Sequence, residues 1–250
     1  MKNKLLSFPS LLLLSVLLAM GCGKDEKKSA APVTDFSFKE EFDSVSKAVA
    51  RGWVIANNSK PIGTMSWMQG YFYVSLYHGL SPGKFGGPQN YPATGGFGDN
   101  NPSYSGADFI LTTSECGSGV ANCSNWLISP EVMLRDGDEF SFYTRTFVNP
   151  AVGADRLQVR VNILSNDADV GTADSTVGGF TNLLLDINPN LLTEGEGSYP
   201  GEWKQYTVKI SGMSVPRKSR IGFRYFVPNG GPQGQNGLGV AIDKFSFSSF

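Results

Sequence analysis

The chain has 250 residues, enough for one large all-β domain or two small ones. Its 21 basic and 22 acidic side chains give a net charge of −1, and the sequence contains no five-residue basic run. A chain with that balance has no general attraction for phosphate backbones, so nucleic acid is excluded as an expected partner.

The first element in the chain is a targeting segment at residues 1–21. Lys2 and Lys4 give it a positive start, and the apolar run LLLLSVLLAM follows. Because Pro9 interrupts the apolar part, it is short for a membrane span. We therefore interpret residues 1–21 as a cleaved signal peptide that does not belong to the fold.

The end of this segment, AMGC at residues 19–22, resembles the lipobox of bacterial lipoproteins. The resemblance implies that Cys22 becomes the N-terminal residue and carries lipid, although the first two residues of the motif are not those that lipoboxes favour. Gly23 after the cysteine, where Asp would retain the protein, implies the outer membrane. The alternative is an ordinary secretory signal cut near Gly21.

A polar segment follows at residues 22–34. It is rich in charged and small residues and contains Pro32, so it cannot bury a core and is predicted to be a flexible tether. Its start, GKDE at residues 23–26, resembles the surface-export signal of some Gram-negative lipoproteins. The alternative is that these charges only keep the tether solvated. The expected localisation is the outer membrane, with membrane attachment through the lipid and exposure at the cell surface.

Residues 35–250 alternate between short β-rich runs and clusters of turn residues. This pattern predicts many short antiparallel strands and an all-β sandwich or barrel. Pro130 inside the fifth run predicts an edge position or a break. The runs are FSFKEEF (36–42), GWVIA (52–56), YFYVSLY (71–77), DFILTT (108–113), WLISPEVML (126–134), EFSFYTRTF (139–147), RLQVRVNIL (156–164), FTNLLLDI (180–187), WKQYTVKI (203–210), RIGFRYFV (220–227) and LGVAIDKFSF (238–247).

Two cysteines, Cys116 and Cys123, lie in one turn-rich stretch, SECGSGVANCS. An exported protein folds in an oxidising compartment, so we predict a local disulfide between them. Two cysteines without a nearby histidine do not make a zinc site.

Several stretches together resemble the choice-of-anchor J domain, which is related to the cleaved adhesin and MAM-like domains. The resemblance covers about residues 36 to 247. It implies a two-sheet antiparallel jelly-roll β-sandwich that serves as a surface binding or adhesion module, with a glycan or another surface protein as ligand. The stretches are FKEEF (38–42), GW (52–53), NWLISP (125–130), FSFYTR (140–145), DRLQVR (155–160), FTNLLLDINP (180–189), EWKQYTVKISG (202–212), RIGFRYFV (220–227) and VAIDKFSF (240–247).

The first and last runs each place an acid among alternating phenylalanines: Glu40 in FSFKEEF and Asp243 in AIDKFSF. A carboxylate facing a core is costly unless it is paired or binds a metal, and oxygen ligands favour Ca²⁺. If the terminal strands are neighbours, as in many jelly rolls, the two acids would share a structural calcium ion. The alternatives are hydrogen bonds to backbone N–H groups or a protonated acid. Further ligands are left open among Glu41, Asp43 and Asp108.

A stripe of aromatic residues is the candidate ligand-binding surface. In YFYVSLY, Tyr71, Tyr73 and Tyr77 share one face of a predicted strand, and Trp67 lies just upstream. Aromatic rings with polar tips suit sugar rings. The alternative is that the loop that follows buries them.

Catalysis has little support in the sequence. His78 is the single histidine, and neither a GxSxG elbow nor an HExxH motif is present. We therefore expect a binding module and no enzyme. The alternative function is a glycan-active enzyme or an accessory subunit of a polysaccharide-handling complex, because two carboxylates suffice for glycosidase chemistry.

Overall fold

A computed structural model of the chain describes residues 36–71, 107–146 and 153–250. In these ranges the chain forms thirteen strands, one α-helix and one 3-10 helix. The helix α1 is Val45–Ala50, and the 3-10 helix is Ser114–Cys116. The strands are β1 Phe38–Glu40, β2 Val54–Asn57, β3 Lys60–Ile62, β4 Met68–Tyr71, β5 Ala107–Thr113, β6 Gly117–Ile128, β7 Val132–Leu134, β8 Glu139–Thr146, β9 Leu157–Asn162, β10 Asn182–Ile187, β11 Lys204–Lys209, β12 Arg217–Gly230 and β13 Gly239–Ser248.

These strands form two antiparallel sheets. The six-stranded sheet has the order β11-β8-β13-β5-β4, with β1 added against β13. The seven-stranded sheet has the order β10-β9-β12-β6-β2, with β3 beside β6 and β7 beside β12. The chain therefore folds as the two-sheet jelly-roll β-sandwich that the sequence predicted, with its first and last strands paired.

The core lies between the two sheets and is dominated by aromatic rings. Phe245 of β13 packs edge-on against Trp53, with ring centroids 5.3 Å apart, and against Phe223 of β12 at 6.0 Å. Phe142 of β8 contacts Phe223 at 4.9 Å. All four side chains are almost fully buried. Each buried aromatic side chain removes a large apolar area from water, so this cluster is the main contact between the sheets.

The helix α1 connects β1 to β2 and was not predicted. Ser44 caps its N-terminus through a side chain that accepts from the Lys47 N–H at 3.4 Å, and Ala48 is its buried residue. Arg51 forms the C-terminal cap. One and a half turns show too little periodicity to be detected in a sequence.

Pro130 acts as predicted. It lies between Ile128, the last residue of β6, and Val132, the first residue of β7. The predicted run 126–134 is therefore two strands that pair with different parts of β12. Pro has no backbone N–H to donate to a ladder, which explains the break.

The predicted signal peptide and tether, residues 1–34, lie outside the described residues. In the part of the chain that the structure describes, no helix is long and apolar enough to cross a membrane.

Candidate functional site

The outward-facing side of the six-stranded sheet carries a row of polar side chains. Gln205 of β11 and Asp243 of β13 both pair with Tyr143 of β8, and directly paired residues share a face of a sheet. Their sequence neighbours Phe142 and Ile242 belong to the core between the sheets. Because side chains alternate along a strand, Gln205, Tyr143 and Asp243 face away from that core.

A groove of about 360 Å³ crosses this outer face from β11 to β1. We call it the outer-face groove. The Tyr143 hydroxyl donates to the Gln205 Oε1 at 3.4 Å, and the Lys244 ammonium lies 3.2 Å from a Glu41 carboxylate oxygen. The groove thus presents hydroxyl, amide, ammonium and carboxylate groups together. Its lining residues are Lys39, Glu41, Ser141, Tyr143, Gln205, Lys244, Phe245 and Ser246.

Beyond the groove, the same face becomes apolar. Phe109, Leu111 and Ala241 form a buried cluster on it, separate from the main core. Trp203, two residues before Gln205, packs against Phe109 with ring centroids 5.6 Å apart and stays partly exposed. An aromatic ring therefore stands beside the polar row on one sheet face.

Asp243 is the buried acid of this face. Its side chain is fully buried, and its Oδ1 accepts from the Lys244 N–H at 2.7 Å. Its Oδ2 has no hydrogen-bond partner among the residues that the structure describes. Burial, with a smaller contribution from the negative charge of Glu41, raises the pKa of Asp243 well above its ordinary value. Burial without a second partner therefore favours the protonated form of Asp243, or a cation in place of the proton.

Glu40 has the partner that the sequence analysis did not find. Its two carboxylate oxygens accept from Arg51, from Nε at 2.9 Å and from Nη2 at 2.5 Å. The Phe42 N–H donates a third hydrogen bond at 3.2 Å. This fork-shaped pair satisfies the carboxylate in its buried position. The interpretation of Glu40 as a metal ligand is therefore replaced by an ion pair with the residue that ends α1.

Glu40 and Asp243 also lie on opposite faces of their sheet. Glu40 pairs with Phe245, which faces the core, whereas Asp243 pairs with Tyr143, which faces outward. The phase changes because the β13–β8 register shifts between Asp243 and Ser246, where Lys244 has a φ of 49°. Such a bulge adds one residue and moves the preceding side chain to the other face. The two carboxylates therefore do not face a common ion in this structure.

For the predicted calcium ion, the described residues offer one candidate ligand atom on the Asp243 side. The buried Asp243 Oδ2 accepts no hydrogen bond from the described residues, so this oxygen is the candidate ligand atom. The negative charges of Glu41 and Asp43 act on the same carboxyl group. The side chain of Asp108 lies outside the described residues. Within 36–71, 107–146 and 153–250, no group of three or more His, Cys, Asp or Glu side chains is arranged to hold a metal ion.

Comparison with solved structures finds cleaved adhesin domains and carbohydrate-binding modules. The K1 cleaved adhesin domain of Lys-gingipain from Porphyromonas gingivalis has a TM-score of 0.49 and 19% identity over 86% of this chain and 98% of that chain. For the K2 cleaved adhesin domain of Lys-gingipain the values are 0.46, 18%, 85% and 99%. A family 11 carbohydrate-binding module from Clostridium thermocellum gives 0.35, 9%, 88% and 98%.

No protein-family model matches the sequence, and no curated protein matches it. The identities to the solved structures are below 25% and the TM-scores below 0.5. The fold assignment therefore depends on the strand order and register described above.

The structure describes only part of the predicted aromatic stripe. Trp67 is 4% exposed and belongs to the main core, so it packs and does not offer a ring to a ligand. Tyr71 is the last residue of β4, and its side chain is not described. Tyr73 and Tyr77 lie outside the described residues. A ligand-binding role for these three tyrosines stays a prediction.

Cys116 and Cys123 are both buried, and both are free thiols here, so the predicted disulfide is not formed in this structure. The two thiols are nevertheless close enough for each to shift the pKa of the other. Gly119, whose φ is 62°, lies between them in β6, and a Cβ added to Gly117, the residue after Cys116, would be 3.4 Å from the Cys123 Sγ. The geometry brings the predicted pair together, and the bond itself stays a prediction.

The outward positions of Tyr143, Gln205 and Trp203 could not be predicted from the sequence. Tyr143 and Trp203 lie in runs that were assigned to strands or to packing, with no signal to show which sheet face points outward. Alternation alone separates Tyr143 from Phe142, but both are large and aromatic. Only the pairing of β11, β8 and β13 identifies their common face.

Proposed function

We propose that this protein is an outer-membrane lipoprotein that displays a jelly-roll binding module of the choice-of-anchor J type. The outer-face groove binds a glycan, carried by a polysaccharide or by another surface protein. The observation that carries this proposal is the convergence of polar side chains from β1, β8, β11 and β13 in one open groove.

The chemistry of the groove suits a polyol. Sugar hydroxyl groups donate and accept hydrogen bonds, and the Gln205 amide, the Tyr143 hydroxyl, the Lys39 ammonium and the Glu41 carboxylate cover both roles. Gln205 is exposed, so it reaches a ligand without rearrangement of the sheet. Trp203 lies on the same face two residues away and supplies an apolar surface for a sugar ring.

A glycan array with residues 35–250, which form one compact unit, tests the groove. We expect Gln205→Ala to weaken retention on the bound glycan by about tenfold, the effect of one or two lost hydrogen bonds. Lys60→Ala is the matched control, because Lys60 is an exposed strand residue of the other sheet. Equal retention of the two variants, or no retained glycan at all, would contradict the proposal.

The enzyme alternative meets a geometric obstacle. A glycosidase needs one carboxylic acid in contact with the leaving oxygen and a second carboxylate across the sugar. Asp243, the acid with the raised pKa on this face, is fully buried and does not reach a ligand in the groove. Glu41, which lines the groove, is already paired with Lys244. These observations favour binding over hydrolysis.

Calcium is proposed with a ligand set that differs from the one expected from the sequence. Asp243 supplies the buried carboxylate, Glu41 and Asp43 supply the neighbouring charge, and Glu40 stays with Arg51. The raised pKa of Asp243 supports this set, because a carboxyl that holds its proton strongly for lack of a partner accepts a cation in its place. The role of the ion is structural.

A further inference from the structure

One end of the sandwich gathers chain segments that are distant in sequence. The Ser249 N–H donates to the Ser37 hydroxyl at 2.9 Å, and the Phe250 N–H donates to the Asp138 carboxylate at 2.9 Å. The chain therefore enters the fold beside the end of β13. We call this end the anchor pole, and it comprises residues 36–37, 135–138, 211–217 and 248–250.

The connecting turns complete the anchor pole. The Met213 N–H donates to the Asp136 carboxylate at 3.2 Å, which joins the β11–β12 turn to the β7–β8 turn. The Arg135 guanidinium lies over the Phe36 ring, 5.4 Å from its centroid. The pole is thus a continuous surface of two turns, the start of the described chain and the end of β13.

This surface exposes large apolar side chains. Phe36 is 38% exposed, Val215 is 50% exposed and Phe250 is 73% exposed. The exposed cation Arg217 begins β12 at the same end, next to Val215. Aromatic and aliphatic side chains with nearby arginines are the composition of proteins that contact the headgroup region of a bilayer.

The tether fixes which surface meets the membrane first. From Cys22 to Thr34 the tether has 13 residues, and it joins the fold just before Phe36. A flexible chain of that length has a mean end-to-end distance of about 20 Å and a maximum of about 45 Å. A lipid on Cys22 would therefore hold the anchor pole at a high effective concentration near the bilayer, where weak contacts suffice.

We infer that the anchor pole is a lipid-docking surface, which seats Val215, Phe250 and Phe36 at the headgroup level of the membrane. This inference rests on the lipid anchor of the proposed function. It assigns a direction to the molecule, because the 14 residues of β12 run from Arg217 at the pole to Gly230. Gly230 pairs with Ala121, so Val120 lies at the far end, roughly 45 Å from the pole.

The test uses the full-length, lipidated protein in vesicles of phosphatidylethanolamine and phosphatidylglycerol. A single cysteine at Val215→Cys or at Val120→Cys carries an environment-sensitive fluorophore. Val120 is the matched control, since it is 54% exposed. Cys116 and Cys123 are buried, so the protein without an added cysteine is the labelling blank. We expect iodide in the water to quench the Val215 probe about threefold less than the Val120 probe, because headgroup burial of ~5–10 Å shields it.

The outcomes separate the two proposals. Flotation with the vesicles that is lost in Cys22→Ser, together with shielding at Val215 alone, supports both the anchor and the docking surface. Flotation with equal quenching at the two positions keeps the anchor and overturns the docking surface. A wild-type protein that does not float overturns the lipid anchor and the docking inference with it. Phe250→Glu places a charge among the docking side chains, and unchanged shielding of the Val215 probe in that variant would also overturn the docking surface.

Discussion

At the scale of single residues, the ion pair with Arg51 stabilises the buried carboxylate of Glu40 at the end of β1. Glu40 is 3% exposed, whereas half of the Arg51 side chain is in solvent. Removing a partner from a fully buried pair costs about 3–5 kcal/mol, and a half-exposed partner lowers the cost. We expect Arg51→Met to lower the free energy of unfolding by about 2 kcal/mol in urea titrations, while Lys47→Met on the same exposed helix changes it by less than about 0.5 kcal/mol.

The double variant Glu40→Gln/Arg51→Met isolates the charge. A neutral amide at position 40 has no charge to leave unpaired, so the double variant should recover part of the lost stability. If Arg51→Met is as stable as Lys47→Met, the pair does not hold Glu40 in place.

A second buried acid, Asp155, has all its hydrogen bonds and still titrates unusually. Its Oδ1 accepts from the Tyr225 hydroxyl at 2.7 Å and from the N–H groups of Leu238 and Gly239 at 2.9 and 3.0 Å, and the Thr146 hydroxyl donates to Oδ2. Burial outweighs these bonds and raises the pKa of Asp155 from 3.8 to about 6. The folded state therefore binds its proton more tightly than the unfolded state.

This shift predicts a pH dependence with a definite sign. Because the folded pKa is the higher one, the contribution of Asp155 to stability is largest below about pH 4 and is lost as the pH rises through 6. Two pKa units correspond to about 3 kcal/mol. In Asp155→Asn the group no longer titrates. We expect urea unfolding to show wild type losing about 2–3 kcal/mol relative to Asp155→Asn between pH 4 and pH 7. A constant difference would contradict this.

At the scale of elements, the ends of strands and their phases were the features that sequence patterns could not determine. The alternation in AIDKFSF places Asp243 with Phe245 and Phe247, but the core residues are Ile242, Phe245 and Phe247. The extra residue of the bulge, Lys244, moves Asp243 to the outer face. Its positive φ could not be predicted, because lysine is not a residue type that marks such a conformation in a sequence. The apolar and aromatic runs themselves were sufficient to predict β8, β11, β12 and β13.

Cys116 at the end of the 3-10 helix and Cys123 in β6 support a prediction about their chemistry. The hydrogen bond with Cys123, together with burial, raises the pKa of Cys116, and the same hydrogen bond lowers the pKa of Cys123. Cys123 is thus the thiol that ionises first and attacks in disulfide exchange. We expect protein purified without reductant to show no reactive thiol at these two positions after denaturation. Reaction of both thiols would contradict this.

The expected disulfide also has a measurable stability. For a loop of about eight residues, the chain-entropy model gives roughly 2.5 kcal/mol. Cys116→Ser should lose about that amount in oxidising buffer relative to wild type. In dithiothreitol the difference should shrink to the effect of the serine itself. An equal stability difference in both buffers would show that the two sulfur atoms form no disulfide and contribute only through packing.

At the scale of the whole molecule, the sequence was sufficient to predict two antiparallel sheets and the pairing of the first strand with the last. It was not sufficient to predict the candidate site. The phenylalanines of FSFKEEF and AIDKFSF mark two half-buried strands, and β1 does pair with β13. The outer-face groove needs Lys39, Tyr143 and Gln205 from three separate strands, a proximity that depends on strand order. Arg51 reaches Glu40 from a helix for the same reason: tertiary placement, not local pattern, provides the partner.

The proposed calcium ion would act on the stability of the whole sandwich. An ion bound to Asp243 in the folded state alone stabilises it by about 2.7 kcal/mol at a hundredfold excess over Kd, which for a chain of this size raises the Tm by about 5–10 °C. We expect EDTA to lower the Tm of wild type by that amount and to leave Asp243→Asn unchanged, because the amide lacks the charge that holds the ion. Glu40→Gln should keep its EDTA sensitivity, since Glu40 binds Arg51 on the opposite face. Superimposable melting curves of wild type with and without EDTA would contradict calcium binding. A loss of EDTA sensitivity in Glu40→Gln would instead support an ion shared by Glu40 and Asp243.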